Sequence, residues 1–293
     1  MRVIILALTL LVPFSALAQD GGDKAARAQA LLDSARAALG GEKLKSLQSL
    51  SATVSYRRAL GERQMTGEIE YDLLLPDKFM KHETMNPMPG VEATRVEAMN
   101  GEKAWMDSGS RGGGMIVIRQ GAAADDPQAQ AQMEQAIRSE FARLLIGWLL
   151  TSSSSFPVEF THAGTAEAED GTADVLEVKG PDNFAAYLFL DQKTRRPLML
   201  SYKGRAPRMM MQSAQGQPRS RDEIEKQARE MQQRAAAEPP DEIQIRFDDY
   251  REVDGISLPH RLTKAVNGEV NEEWEMKKFK VNPSIKPEKF EKK

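Results

Sequence analysis

Between residues 241 and 281 apolar and polar side chains alternate over three strand lengths, and two short turn signals separate the runs. Ile243, Ile245 and Phe247 alternate with Gln244, Arg246 and Asp248. A two-residue Asp254-Gly255 turn then pairs Val253 with Ile256 and Phe247 with Leu262, which joins two apolar faces. In the third run Val270, Trp274 and Met276 share the face of Ile256, Leu258 and Leu262 if the Asn267-Gly268 turn uses an odd-length loop with Gly268 left-handed. The prediction is three antiparallel strands with one buried face and one wet face. Such a pattern fixes architecture and carries no chemistry.

The other end of the chain speaks to compartment. Arg2, an apolar run from Val3 to Phe14 and Ala16-Leu17-Ala18 before Gln19 follow the charged, apolar and small-residue order of a secretory signal peptide. Residues 1–18 therefore read as a cleaved leader, and residues 19–293 as the mature protein. The apolar run is short for a bilayer span and is broken by Pro13, so no stable membrane span is expected after cleavage. The chain has no Cys, which leaves neither a disulfide framework nor a lipid-modified start and predicts a periplasmic protein held together by its core. Cleavage removes Arg2 alone among the charged residues, leaving 39 basic against 43 acidic side chains and a net charge of −4. That balance argues against nucleic acid as a partner and against charge-driven adhesion to an anionic membrane. No Gly/Ser-rich or Pro-rich linker divides the mature chain, so one domain is expected.

Residues 25–39 place Leu31, Leu32, Ala35, Ala38 and Leu39 on one helical stripe that stops at Gly40-Gly41, a helix suited to a sheet edge. From Leu50 the period becomes two. Met65, Ile69, Tyr71 and Leu73 alternate with Thr66, Glu68, Glu70 and Asp72 until Pro76. Further strands are expected over 79–84, 94–99, 103–107 and 115–119, with Asn100-Gly101 as a hairpin turn and Gly112-Gly113-Gly114 as a second hairpin. No Gly-Lys-Ser/Thr ending follows those glycines, so they are no phosphate loop. Asp126-Pro127 opens a helix carrying Met133, Ile137, Phe141, Leu144, Leu145, Trp148 and Leu149. Its last turns are apolar over most of their surface, so it must fill the inner face of a curved sheet or be covered. Strands resume over 157–162, 173–178 and 184–190, and a turn at 191–194 leads to Leu198, Leu200 and Tyr202. The fold class is mainly β, an antiparallel meander with inserted helices.

Residues 205–240 interrupt the strand series with a Met-, Gln- and Arg-rich segment. Ser220 and Glu223 form a capping box, and Ile224, Ala228, Met231 and Ala235 make a thin apolar stripe, so the insert reads as a weakly docked helical lid. Met209, Met210 and Met211 form its adaptable apolar edge, or simply a covered loop.

Gly67-x-Ile69-x-Tyr71, Pro76-Asp77-Lys78-Phe79, Asn100-Gly101-x-x-x-Trp105, the central helix, Asp191-x-x-Thr194-x-x-Pro197-Leu198 and Val281-Asn282-Pro283-x-Ile285-x-Pro287-x-x-Phe290 follow one another in this order. In that order they resemble the bacterial outer-membrane lipoprotein-sorting proteins. The resemblance implies a single antiparallel sheet curled into an unclosed β barrel around a helix or helical lid, with an apolar concavity that in the family shelters acyl chains. The same fold recurs in the lipid-anchored receptor of that pathway and in periplasmic envelope-stress sensors, so fold alone does not select a function. The family's carriers place a basic residue directly before the proline that ends the strand corresponding to residues 67–76, where it helps hold the lid closed. Here Leu74-Leu75 stand there. Arg57 or Arg58 could substitute, although a strand Arg is ordinarily a solvated or rim side chain.

Two chemical alternatives stand beside this. Met80, His82, Met85 and Met88 are the soft ligands that copper(I) takes, but strand geometry puts Met85 opposite Met80 and His82, and Asn86-Pro87 interrupts the spacing. His260 falls opposite Asp249 in the Asp254-Gly255 register, where a carboxylate could orient an imidazole; no nucleophile motif accompanies the pair, so a satisfied structural pair is expected. His162 stands alone. No catalytic, cofactor or metal residues are assigned. The expected function is a periplasmic, non-enzymatic binding protein that holds a lipid, a lipoprotein acyl chain or another apolar ligand in a cavity lined by Ile69, Tyr71, Phe141, Leu144, Leu145, Trp148, Leu188 and Leu200. The alternative is a signalling or scaffold module that binds an envelope protein through its rim. An open apolar cavity would favour the first and a filled interior the second.

Overall fold

The structure, a computed structural model, describes residues 21–60, 63–88, 90–111, 127–168, 171–205 and 239–292. The expected strand at 115–119, the glycine hairpin, the cap at Asp126, the leader, the capping box and Met209, Met210 and Met211 lie outside them. The first half of the meander comprises β1 (Ser49–Leu60), β2 (Arg63–Leu74), β3 (Lys78–Met88), β4 (Val91–Asn100) and β5 (Lys103–Arg111). The second comprises β6 (Glu159–Ala168), β7 (Gly171–Lys179), β8 (Ala185–Asp191), β9 (Pro197–Gly204), β10 (Asp241–Val253), β11 (Ile256–Val266) and β12 (Glu269–Val281).

All twelve strands belong to one sheet in the order β5-β4-β3-β2-β1-β12-β11-β10-β9-β8-β7-β6. The halves join where β1 pairs with β12, from Leu50 opposite Val281 to Arg58 opposite Glu272. Among the described residues β5 and β6 are the edge strands, and the sheet does not close. Period-two burial follows the sequence: Met65, Ile69, Tyr71 and Leu73 are buried on one face of β2 while the residues between them face outward.

Two helices use the inner face. α1 (Gly21–Leu39) buries Ala28, Leu32, Ala35 and Leu39 and packs on the edge strand β6 and on β11; it ends at Gly40-Gly41 and is followed by the single turn α2 (Glu42–Lys45). α3 (Pro127–Leu149) touches β4 and β5 on one side and β9 on the other, so the sheet curls around it. Its contact with β10 is very close: a Cβ on Gly147 would lie 2.4 Å from the Phe247 ring.

The family-like motifs are structural junctions. Asn282 accepts from the amides of Gln48 and Ser49, and Ser49 donates to the Pro283 carbonyl. The C-terminal segment then crosses the outer face of β3 and β4, where Phe290 is buried and its carbonyl accepts from Trp105 Nε1 at 3.0 Å. Lys78 bonds Asn100, the Gly101 amide bonds the Asp77 carbonyl, and Asp191 caps the Thr194 amide.

The C-terminal hairpins correct one expectation. Val253 pairs with Ile256 and Phe247 with Leu262 as the pattern demands. At the next turn, however, Val266 pairs directly with Glu269, so Asn267 (φ 51°) and Gly268 (φ 85°) form a two-residue turn and not an odd loop. Parity is restored one step later: the register slips beyond Lys264/Ala265, and Asn271 is the extra residue between Val270 and Glu272. Trp274 and Met276 are thereby turned inward, while Val270, before the bulge, stays outside at 51 % exposure.

Gly147 offers a test. Alanine is the better helix former by about 1 kcal/mol, but overpacking a buried contact typically costs about 1–3 kcal/mol. Gly147→Ala should lower the urea midpoint with an unchanged m value. Equal or higher stability would mean that Phe247 has room to move.

Candidate functional site

The concave face is where the topology brings the most side chains together. Seven of the eight residues expected to line a cavity, Ile69, Tyr71, Phe141, Leu145, Trp148, Leu188 and Leu200, are at most 2 % exposed, and Leu144 is 9 % exposed. Their rings interlock: Phe141 stacks tilted on Phe79 with centroids 5.1 Å apart, and Trp148 meets Tyr71 at 5.5 Å and Phe279 at 5.6 Å edge-on. A wall of a water-sized void would keep accessible surface, and these residues keep almost none. They form a core in this conformation, with α3 in the place a guest would take. A cleft of about 520 Å³ lies on the outer side instead, under the C-terminal segment, walled by Ser51, Asp72, Lys280, Lys286 and Lys289 among others. It is polar, with Ser51 and Lys289 both bonded to Asp72.

The concave face also carries charges that the sequence reading did not assign. The registers place Lys81 opposite Glu97 and Glu83 opposite Arg95 across β3 and β4, and Arg58 opposite Glu272 across β1 and β12. Glu83, Glu97 and Glu272 are at most 3 % exposed and Lys81 is 8 % exposed. Arg58 grips Glu272 with Nε and Nη2 at 2.9 and 3.0 Å and reaches Glu83 at 3.1 Å. It is therefore neither a solvated nor a loose rim side chain. Arg57 is the exposed one, paired with Glu273 at 2.8 Å. Lys81 Nζ lies 3.4 Å from Glu97 and 2.7 Å from Glu140 of α3, and Arg95 pairs with Glu97. Tyr56 Oη, Arg95 Nε and Glu97 Oε2 are buried in this cluster without a hydrogen-bond partner.

Ionisation follows these contacts. Burial alone would discharge Lys81, but Glu140 and Glu97 outweigh it and hold the ammonium well above its ordinary range. Burial likewise opposes charge on Glu140 and Glu83. Lys81 nevertheless pulls Glu140 down to about 2, and Lys81 with Arg58 lowers Glu83.

The histidines are not brought together. Met80 and His82 share a face of β3, His82 Nδ1 lies 3.9 Å from Glu70, and Met85 is buried on the opposite face. Asp249 does not pair with His260. Its backbone is left-handed (φ 54°) and its carboxylate bonds Arg251, while His260 bonds the Leu258 carbonyl through Nδ1 and meets Phe279 edge-on at 5.3 Å. The register does leave Asp249 opposite His260, but the expected structural pair is corrected to two separate contacts, because the left-handed backbone at Asp249 turns its carboxylate to Arg251 on its own strand. His162 is not alone: it lies 3.9 Å from the buried Asp174, which Arg195 also reaches at 3.3 Å. Burial and Arg27 lower its pKa.

No protein-family model and no curated protein matches the chain. Solved structures do. An outer membrane lipoprotein-sorting protein domain from Vibrio parahaemolyticus is 10 % identical over 91 % of this chain and 97 % of that one, with a TM-score of 0.47. A DUF1329 family protein from Desulfovibrio piger is 8 % identical over 90 % and 97 %, TM-score 0.47. A LolA superfamily protein from Nitrosomonas europaea is 14 % identical over 90 % and 97 %, TM-score 0.42. The structural neighbours thus include the family whose motifs the sequence resembles.

Two outcomes test the ionic cluster. Arg58→Met leaves two buried carboxylates without their cation and should cost about 3–5 kcal/mol in urea denaturation, whereas Arg58→Met with Glu272→Met should cost less. A double variant no better than the single would disprove the pairing as drawn. Glu140 and Glu83 have lowered native pKa values, so their stabilisation is complete above the ordinary carboxylate value of 4.5 and is lost as pH falls below it. Glu140→Gln should therefore flatten the fall of the urea midpoint between about pH 4.5 and 2. An unchanged acid slope would mean that Glu140 does not hold Lys81 in solution.

Proposed function

We propose that this chain is exported and acts in the periplasm as a single, non-catalytic binding module that holds an apolar or amphipathic chain, most concretely a lipid or the acyl end of a lipoprotein, on the concave face of its open sheet. The observation that carries this is what fills the concavity. In a barrel packed solid by its own walls, opposing strands interdigitate. Here Tyr71, Phe79, Leu188, Leu200 and Phe279 of the sheet share one core with the helix α3, which touches β4 and β5 toward one edge and β9 toward the other. A helix is a removable occupant, and an apolar chain can take part of its seat. Each methylene buried there contributes about 0.8 kcal/mol. The leader-like order at residues 1–18 supports the compartment, and the polar groups that reach the concavity are engaged in ion pairs rather than set out as nucleophile and base. In this reading residues 205–240, with Met209, Met210 and Met211 at their apolar edge, serve as a lid-like insertion.

A second reading has one observation in its favour. With α3 in place the lining residues are inaccessible and the interior is filled, which is the outcome expected of a scaffold that binds an envelope protein through its rim.

Native mass spectrometry of protein purified from a periplasm, followed by lipid extraction, separates the two. The carrier reading expects co-purifying lipid, and delipidated protein that takes up a fluorescent fatty acid. Protein that is free of lipid and fails to bind the probe would overturn it in favour of the rim.

A further inference from the structure

Resting on the trough reading above, the structure suggests what kind of guest is admitted. We infer that Glu140 stands in for the acidic head group of the guest, so that the trough takes an amphiphile whose carboxylate or phosphate replaces Glu140 on Lys81 while its chain replaces Phe141 on Phe79.

Around Glu140 the sheet presents Arg58, Lys81, Arg95 and Lys264 against Glu83, Glu97 and Glu272. Among these residues the sheet alone is one positive charge in excess, and the carboxylate of α3 balances it. The charges of Lys81, Arg95 and Lys264 all act on Glu140. Its side chain is 38 % exposed, against 10 % for Lys81 and 2 % for Glu97, so it reaches the cluster from the solvent side and is the replaceable member.

A buried ammonium that loses its closest carboxylate is strongly destabilised. An uncharged apolar chain that pushes α3 aside leaves Lys81 in that state; a guest bringing its own acid does not. Arg95 Nε, a buried donor without a hydrogen-bond partner on β4, shows that the cluster's donors are not all used by its own members. Head and tail sites are in the right order as well. Lys81 and Phe79 are two residues apart on the same face of β3, and α3 meets them with the consecutive Glu140 and Phe141.

The test uses the full delipidated protein at pH 7.5 in isothermal titration with decanoate, 1-decanol and acetate. Decanoate should bind at least about tenfold more tightly than decanol, and acetate should not bind measurably. Glu140→Gln, which removes the internal competitor from a half-exposed position, should widen the decanoate-to-decanol ratio. Lys81→Met, if it folds, should bring the ratio to about one. Equal binding of decanoate and decanol, or a Glu140→Gln ratio no larger than the parent's, overturns the head-group assignment while leaving the apolar trough. Acetate binding as tightly as decanoate reveals a free-anion site and overturns the amphiphile. Binding of neither ten-carbon ligand removes the trough reading and this inference together.

Discussion

An apolar helix in an aqueous compartment is the constraint that organises this molecule. From Phe141 to Leu149 α3 is buried at every position except Arg143, whose guanidinium lies 3.8 Å over the Tyr202 ring. No amphipathic surface site could satisfy such a helix. The sheet supplies an inner face that curls far enough to receive it, and the mismatch between a round helix and a pleated wall is relieved where Gly147 meets Phe247. α1 completes the enclosure: Arg36 donates to the carbonyl of Leu150, just beyond the end of α3, from Nε and Nη2 at 3.0 and 2.8 Å. That carbonyl would otherwise be one of the orphan acceptors of the helix terminus.

The inner face is not uniformly apolar, and its charges obey the same strand geometry as its core. Phe79, Lys81 and Glu83 alternate inward along β3, and Met99, Glu97 and Arg95 answer them across β4. Glu97 meets Lys81 across β3 and β4, Glu272 meets Arg58 across β1 and β12, and Glu83 is reached by the same Arg58 from two strands away, so each has a cation, the condition under which buried charge is tolerable. Glu140 differs from the rest in coming from the helix. It ties the occupant to the wall by a contact that solvent can reach, and so it is the part of the core most readily exchanged.

Much of the fold was legible because its signals are local. Ile243 to Phe247, Asp254-Gly255 and the Met65 to Leu73 alternation each specify a face within a few residues, and Pro127 with the apolar turns after Ile137 specifies α3. What failed did so through a bulge. Asn271 shifts the parity of β12 by one, and the sequence shows only a run of polar residues there, with nothing to distinguish an odd loop from an even turn plus an extra residue. The ionic cluster was invisible for another reason: Arg58 and Glu272 are 214 positions apart, and Lys81 and Glu140 are 59. Only the β1–β12 pairing and the crossing of α3 bring them together. Of the motifs that carry the family resemblance, Ile69, Tyr71 and Phe79 belong to the inner core, and the rest proved to be fasteners. Asn100, Trp105, Asp191, Asn282 and Phe290 hold turns and the C-terminal segment, and none of them faces the concavity. A sequence can thus announce this architecture without announcing a ligand.

Whether such an interior can exchange its occupant is a question of magnitudes. Ile137, Phe141, Leu144, Leu145, Ile146, Trp148 and Leu149 contribute about 1.5–3 kcal/mol each by burial, or about 10–21 kcal/mol together. An acyl chain of about ten methylenes offers about 8 kcal/mol for the same wall before the cost of ordering it. Apolar burial therefore keeps most of α3 in place. Partial exchange is the least costly route. The end of α3 is fixed by Gly147 against Phe247 and by Arg36 on Leu150, while the turn around Glu140 is held by the Lys81 ion pair, the Phe141 stack on Phe79, the buried Ile137 and Ala142, and Arg138 on the Glu102 carbonyl. Burial favours α3 over such a chain, and the charge left on Lys81 adds to the cost of any exchange that does not bring an acid of its own.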